Sequence, residues 1–287
     1  MHRRALLCLA LLGLVSACSR EPAARSYQLQ GQVLAVRPET LEILVKHDDI
    51  PGFMPAMTMP YRVKDAALLT NRTPGDLVTA TLMVAPDLAW LSAIAKTGHA
   101  PLPEDARTTI PPAAGVHVLQ VGDVVPDTTL TDQDDRAFTL SDWRDSAVVI
   151  TFIYTRCPLP QFCPLLDRRF AEIQALAAGD PALQTRVRLL SISFDPATDT
   201  PARLRAHAAS VKADPAVWRF ATAPEAIVDR LAAEYGINVI RETDGTITHN
   251  LRTVVVDSRG AIVAIHDNND WSATDIVDEL RTTVLAR

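Results

Sequence analysis

The segment from Thr151 to Pro164 constrains the fold of this chain more than any other stretch of its 287 residues. An apolar run typical of a buried β-strand stops at Cys157, and Cys163 follows directly before a proline that can open a helix. Two thiols at a strand-to-helix junction can hold a soft metal ion, exchange disulfides or staple a loop. Other features of the sequence are needed to distinguish these three possibilities.

The N-terminus predicts a targeting segment. Residues 2–4 carry two arginines, and the apolar run 5–15 suits a signal sequence but is too short to span a bilayer. Small residues then precede Cys18, and this pattern resembles the lipobox of bacterial lipoproteins. The resemblance implies that residues 1–17 are a signal peptide and that Cys18 carries lipid on the periplasmic side of a bacterial membrane. The alternative is ordinary signal cleavage, which would leave a free thiol.

Cysteine usage and charge narrow the class of protein. Of the four cysteines, Cys8 leaves with the signal and Cys18 carries lipid, so Cys157 and Cys163 remain. Outside the cytoplasm, thiols oxidise unless a reductant or a metal protects them, and two cysteines are too few for a disulfide scaffold. Loss of two signal arginines moves the formal net charge from −6 to −8. An acidic chain without a basic patch argues against nucleic-acid binding, and we expect a monomer.

The pattern divides the mature chain into two domains. Residues 18–26 form a polar tether, and residues 27–96 hold short alternating β-runs separated by turns, which predict a small all-β barrel. Residues 97–117 are rich in proline and glycine and predict a stiff linker. In residues 118–287, strands alternate with helices and end in a hairpin and a helix, an arrangement typical of an α/β thioredoxin-like domain.

The thioredoxin-like arrangement gives the two thiols a defined place. The loop after the first core strand leads into a helix N-terminus, where the helix dipole and free N–H groups favour a thiolate. Cys163 stands at this position, just before Pro164. The spacer to Cys157 is short, so both sulfurs can share one ion or one disulfide.

Several motifs in the second domain belong together. They are Phe152-Ile-Tyr-Thr-Arg-Cys157-Pro, the run Asp195-Pro-Ala-Thr-Asp199-Thr-Pro, and His249 with Asp257 eight residues later. With them, residues 118–287 resemble the Sco (SenC) family of copper chaperones. The resemblance implies copper ligands at Cys157, Cys163 and His249. It also implies a role in metallating the dinuclear copper centre of cytochrome c oxidase, and thiol–disulfide chemistry.

The chain departs from this family between the two cysteines. Family members have three residues there, whereas this chain has five, Pro158 to Phe162, although a proline still follows each cysteine. We expect the longer spacer to change the geometry of the pair. Asp195 ends a strand on the side of the sheet where sites form. It can cap a turn, or it can orient the metal ligands without binding the metal itself.

A methionine cluster marks the first domain. Met54, Met57 and Met59 lie within six residues, and the last two face the same side of a strand. Thioethers select soft monovalent ions such as Cu(I) and Ag(I), and they have no proton to lose on binding. The alternative is that these methionines fill the core of a small barrel. His47 can join them from the neighbouring strand.

The same segment resembles the periplasmic copper- and silver-binding CusF-like family, a small OB-type barrel. The resemblance implies metal ligands at His47, Met57 and Met59. Met54 stands where that family places a tryptophan against the metal. It is therefore either a third thioether ligand or a neighbour of the site.

Together these features predict a lipid-anchored periplasmic copper metallochaperone. The first domain would hold Cu(I), or Ag(I), and the second would bind Cu(I) or Cu(II) and pass copper to a client such as an oxidase subunit. One alternative is a thiol–disulfide oxidoreductase, with Cys157 and Cys163 as catalytic residues that reduce client cysteines before metallation. Another is a protein of copper and silver tolerance, with the first domain as a sink.

Overall fold

A computed structural model describes residues 24–54, 56–86, 88–102, 116–241 and 247–285. The predicted signal peptide, the predicted lipidation site Cys18 and most of the tether and linker lie outside these residues. Within the described ranges, none of the helices combines the length and the apolar composition needed to cross a bilayer.

One antiparallel sheet forms the first domain. Its strands are β1 (Arg25–Arg37), β2 (Glu42–His47), β3 (Met57–Arg62), β4 (Asp76–Val84) and β5 (Ala89–His99), in the spatial order β3-β2-β1-β4-β5. Side chains of β2, β3 and β4 alternate between buried and more exposed, as the period of a half-buried strand requires. The end of β5 extends three residues into the predicted linker.

The edge strands of this sheet approach each other without a continuous ladder among the described residues. Val63 and Leu91 form an isolated bridge, and the Lys64 backbone N–H donates to the Leu91 carbonyl at 2.9 Å. The sequence predicted a barrel, and the observed arrangement is a five-stranded sheet whose edges meet at this bridge.

A second sheet carries the second domain. Its strands are β6 (Leu130–Asp132), β7 (Ala137–Phe138), β8 (Ala147–Ile153), β9 (Val187–Ser193), β10 (Trp218–Thr222), β13 (Arg252–Val256) and β14 (Ile262–Asp267). The spatial order is β14-β13-β8-β9-β10-β6-β7, with β8, β9 and β10 parallel and the remaining neighbours antiparallel. Two further strands, β11 (Val239–Arg241) and β12 (Ile247–His249), pair separately. Every residue of β8 is buried, as its almost entirely apolar sequence predicts.

Four helices complete the second domain. They are α1 (Cys163–Ala178), α2 (Pro201–Ser210), α3 (Glu225–Glu234) and α4 (Ala273–Leu285). The α2 helix begins as its sequence predicts, since the Thr200 side chain accepts from the Arg203 N–H and a proline follows at the first helical position. Helices α1 and α4 contact each other and β8. These contacts fix the start of α1 beside the end of β8.

The two domains also contact each other. Strand β3 of the first domain packs against β12 of the second. The Arg62 guanidinium lies 2.7 Å from the Asp270 carboxylate across the same boundary. Residues predicted as ligands lie on both β3 and β12, so this contact determines the geometry of the candidate site.

Candidate metal centre

The two thiols meet where β8 gives way to α1. Cys163 is the first residue of α1 and is buried, and Cys157 lies in the preceding loop, half-buried. Both are free thiols, and their side chains hydrogen-bond to each other. The structure thus brings together the pair that the short spacer predicted to share one face.

Burial and their mutual hydrogen bond make these two thiols unequal. Burial raises the pKa of Cys157, but hydrogen bonds from the Cys163 thiol and from nearby backbone groups outweigh it and lower that pKa below its usual range. Burial and the neighbouring Cys157 sulfur raise the pKa of Cys163. Cys157 therefore ionises before Cys163, although the helix start had predicted the thiolate at Cys163.

Two aspartates hold the loop that precedes Cys157. The buried Asp199 carboxylate accepts from the Thr155 N–H at 3.0 Å, from the Thr155 hydroxyl at 2.5 Å and from the Ser193 hydroxyl at 2.6 Å. Asp195 lies 2.7 Å from the Arg156 Nε. Asp195 thus acts on the residue next to Cys157 and not on a sulfur. Asp199 is a positioning residue to which the sequence motif alone assigned no role.

His249 reaches the site from β12. Its Nδ1 lies 2.9 Å from the Asn250 carbonyl, and its ring packs against Phe194 and, edge on, against Tyr154, with ring centroids 4.5 Å and 5.7 Å away. Burial lowers the pKa of His249 to about 4, although the Asn250 carbonyl opposes this shift. The imidazole is therefore neutral at neutral pH. With its proton on Nδ1, it presents the Nε2 lone pair to a metal.

The first-domain residues form a second group. His47 on β2 pairs directly with Met57 on β3, and Met59 follows on the same face. All three side chains are buried. His47 Nδ1 lies 2.7 Å from the Asp48 carbonyl, to which it donates. Its Nε2 therefore carries the lone pair, and His47 is the same tautomer as His249. Gly31 stands opposite His47, and a Cβ there would come within 2.7 Å of the His47 Cα.

Met54 occupies a different environment from the other two methionines. It is buried in the core of the first domain, where it bridges to Ile50. Unlike Met57 and Met59, it does not line the cleft between the domains.

Both groups border one cleft at the domain boundary. The cleft is narrow and open to solvent. Its walls include Met57 and Met59 from the first domain and Tyr154, Cys157, Leu159 and His249 from the second. Cys163 and His47 lie next to the wall residues Cys157 and Met57. The sequence predicted two separate sites, and the fold makes them face the same space.

Within the described residues, no three His, Cys, Asp or Glu side chains already lie together as a group that could hold a metal ion. Cys157, Cys163 and His249 are therefore neighbours around the cleft and not a closed coordination shell. Thiolate, thioether and imidazole donors around one water-accessible space nevertheless suit a soft ion.

Sequence reasoning missed Tyr154 and Leu159. The Tyr154 hydroxyl hydrogen-bonds to the Cys157 thiol, and burial and the two sulfurs raise the pKa of this tyrosine, which stays protonated. Leu159 is almost fully buried, although it lies in a loop. The available signal for Leu159 was its isolation between two prolines in the extended spacer.

Two family profiles match the chain. The profile described as SCO1/SenC matches residues 118–285, more than half of the chain. The profile described as "Copper binding periplasmic protein CusF" matches residues 26–96. No curated protein sequence matches the chain.

Solved structures resemble the second domain. Copper-bound ScoI from Arabidopsis thaliana is 15% identical and aligns over 58% of this chain and 100% of that one, with a TM-score of 0.50. A SCO1/SenC family lipoprotein from Bacillus anthracis is 22% identical over 56% and 95%, with the same TM-score. BsSco, described as a member of the Sco family of cytochrome c oxidase assembly proteins, is 19% identical over 60% and 99%, again at 0.50. These likenesses establish a common fold.

Proposed function

The chain belongs to the SCO1/SenC family, and from that premise we propose that it is a copper-binding metallochaperone with two copper sites. In the second domain, Cys157, Cys163 and His249 are the proposed ligands. In the first domain, His47, Met57 and Met59 are the proposed ligands for Cu(I), or for Ag(I). The observation that carries the proposal is that one cleft between the domains is lined by donors of both groups, Met57 and Met59 from the first and Cys157 and His249 from the second.

The donor chemistry of the second domain supports copper. Cys157, whose pKa is lowered by its hydrogen bonds, supplies a thiolate, and the neutral His249 supplies an imidazole nitrogen. The Asn250 carbonyl fixes the His249 tautomer. Binding would draw these side chains into a shell that the metal-free arrangement leaves open.

The CusF match supports a similar role for the first domain. The proposed ligands are held on adjacent strands, with His47 and Met57 in register. The bridge between Val63 and Leu91 also supports the expected OB-like closure of the sheet. We place Met54 as a buried neighbour of this site.

The descriptions of the relatives support a proposal for the location and the client. One matching profile is described as periplasmic, and one structural relative is described as a lipoprotein. We therefore propose that Cys18 anchors the chain on the periplasmic side of a bacterial membrane. The description of BsSco as a cytochrome c oxidase assembly protein supports an oxidase subunit as the copper-receiving client.

A second candidate function is thiol–disulfide exchange. The hydrogen-bonded pair Cys157 and Cys163 favours it, since one sulfur ionises readily and the other stands next to it. In this reaction the pair would be oxidised to a disulfide, while a client disulfide would take up two electrons and two protons. Copper and silver tolerance is a third candidate, supported by the thioethers of the first domain.

His249→Ala separates the first two functions. Exchange needs only the thiols, whereas the copper site also needs the imidazole. We expect the variant to lose about tenfold or more in copper affinity at the second site and to keep a dithiol that still reduces a test disulfide. His117→Ala, at an exposed histidine paired with Asp123, is the matched control. Unchanged copper affinity in His249→Ala would rule out the three-ligand site.

A further inference from the structure

The spacer between the two cysteines, Pro158 to Phe162, lies between the two domains. Leu159 is 1% exposed and belongs to the apolar core of the first domain, although its neighbours in sequence belong to the second. Cys157 and Phe162 pack against both cores. The spacer therefore inserts a leucine from the second domain into the first.

The rest of the spacer is held to the second domain. Arg168 of α1 donates to the Pro160 carbonyl at 3.0 Å, and the Asn269 side chain donates to the Gln161 carbonyl at 2.5 Å. The prolines at 158 and 160 further restrict the backbone on both sides of Leu159. The spacer is thus restrained while it presents one apolar side chain to the first domain. Little of its conformational entropy is therefore lost on docking.

The same face carries a polar contact. Asp270, next to Asn269, lies 2.7 Å from Arg62 at the end of β3. This ion pair is largely exposed and stabilises the contact only weakly. It does, however, help to orient β3, whose Met57 and Met59 line the cleft opposite Cys157 and His249. Leu159 provides the apolar anchor of the interface, and the ion pair contributes orientation.

We propose that the five-residue spacer is a docking element: Leu159 seats the second domain on the first, so that copper passes between the two ligand groups inside the cleft without release to solvent. The copper part of this inference rests on the proposed function, and the docking part does not. A three-residue spacer, the length typical of the Sco (SenC) family, would have two residues fewer with which to reach the core of the first domain.

The transfer is a ligand exchange without a redox step. Bonds from Cu(I) to the thioethers and to His47 break, and bonds to the Cys157 and Cys163 sulfurs and to His249 form. The protons of the Cys157 and Cys163 thiols leave to water as the two Cu(I)–thiolate bonds form, and copper stays Cu(I). The thiolates carry negative charge and the thioethers none, so exchange runs from the first domain to the second.

Docking is tested first without metal. In the reduced chain from Ser19 onward, which lacks Cys8 and Cys18, the alkylation rate of Cys157 by iodoacetamide reports whether the first domain covers the cleft. Leu159→Asp should speed alkylation about tenfold or more, because it replaces a buried leucine with a charge. Leu159→Met, which conserves volume, should alkylate at the unsubstituted rate.

A second variant guards against a folding defect. Deletion of Leu159 and Pro160 leaves a three-residue spacer and should also speed alkylation of Cys157. Circular dichroism identifies which variants fold. An unchanged alkylation rate in a folded Leu159→Asp or deletion variant would overturn the docking proposal.

Exchange is tested with Cu(I) alone as the probe. The chain in its Cys157–Cys163 disulfide form is loaded with one Cu(I), reduced at saturating reductant, and followed by the Cu(I)–thiolate absorption. We expect a rate independent of protein concentration in the unsubstituted chain and about tenfold slower in Leu159→Asp. Equal rates in the two proteins would overturn exchange within the cleft. Failure of the disulfide form to take up Cu(I) would instead overturn the proposed first-domain site, while the alkylation result would still stand.

Discussion

Met59 of the first domain and Cys157 of the second line the same cleft. One offers a thioether and the other a thiolate, and both donors suit Cu(I). The packing of β3 against β12 and the insertion of Leu159 produce this relationship.

Replacement of Met57 and Met59 by leucine should abolish the first-domain site with little effect on stability. The exchange conserves volume, so the free energy of unfolding should change by less than about 1.5 kcal/mol per site. The thioether donors disappear, and Cu(I) bound per chain should fall from two to one. Equilibrium dialysis under anaerobic conditions measures this ratio.

Met83→Leu is the matched control, since Met83 is half-buried on β4 and does not line the cleft. It should still bind two Cu(I) ions per chain. Retention of two Cu(I) ions in the double leucine variant would show that the methionines only fill the core.

Asp199→Ala should destabilise the second domain. The change leaves the Thr155 N–H, the Thr155 hydroxyl and the buried Ser193 hydroxyl of β9 without their acceptor. We expect a loss of about 2 kcal/mol or more in the free energy of unfolding, measured in urea by tryptophan fluorescence. Copper affinity at the second site should also fall, because Thr155 and Arg156 position Cys157.

Asp195→Ala provides the comparison. Its partner Arg156 is partly exposed, so this ion pair should contribute less than about 1 kcal/mol. If the two variants lose equal stability, Asp199 is not the main support of the loop.

Acid should weaken the first domain through Asp76. Burial raises the pKa of this carboxyl, but hydrogen bonds from Lys96, His99 and Thr73 outweigh it and hold the pKa well below its usual range. Because the folded-state pKa is lowered, the stabilisation is complete above the ordinary carboxyl pKa of about 3.9 and is lost as the pH falls from there through the folded-state value.

Asp76→Asn should therefore lower the free energy of unfolding at pH 7. It should also reduce the decrease of that free energy between about pH 5 and pH 2. Urea unfolding of the metal-free chain at several pH values gives this slope. Asp49→Asn, at an exposed aspartate of the same domain, should keep the slope of the unsubstituted chain. An unchanged slope in Asp76→Asn would show that another carboxyl governs the acid response.

Local patterns in the sequence predicted most of the regular structure. A mainly apolar run predicted β8, and Thr200 with the following proline predicted the start of α2. The short spacer predicted that Cys157 and Cys163 lie together, because five intervening residues limit the distance between the two sulfur atoms. Each of these inferences depends on neighbours in sequence.

The shared cleft could not be predicted in this way. Leu159 stands alone between prolines, and a single apolar residue has no periodicity that reveals its partner. Its burial depends on the first domain, which is distant in sequence. The contact of β3 with β12 likewise depends on how two separate sheets pack. The hydrophobic pattern within a strand does not show which distant strand it contacts.

The most direct measurement of the central claim is the number of Cu(I) ions bound by the reduced chain from Ser19 onward. The chain is titrated anaerobically against a Cu(I) chelator of known affinity, with copper and protein quantified independently. Two ligand groups facing one cleft predict two Cu(I) ions per chain. One ion or none would contradict the account.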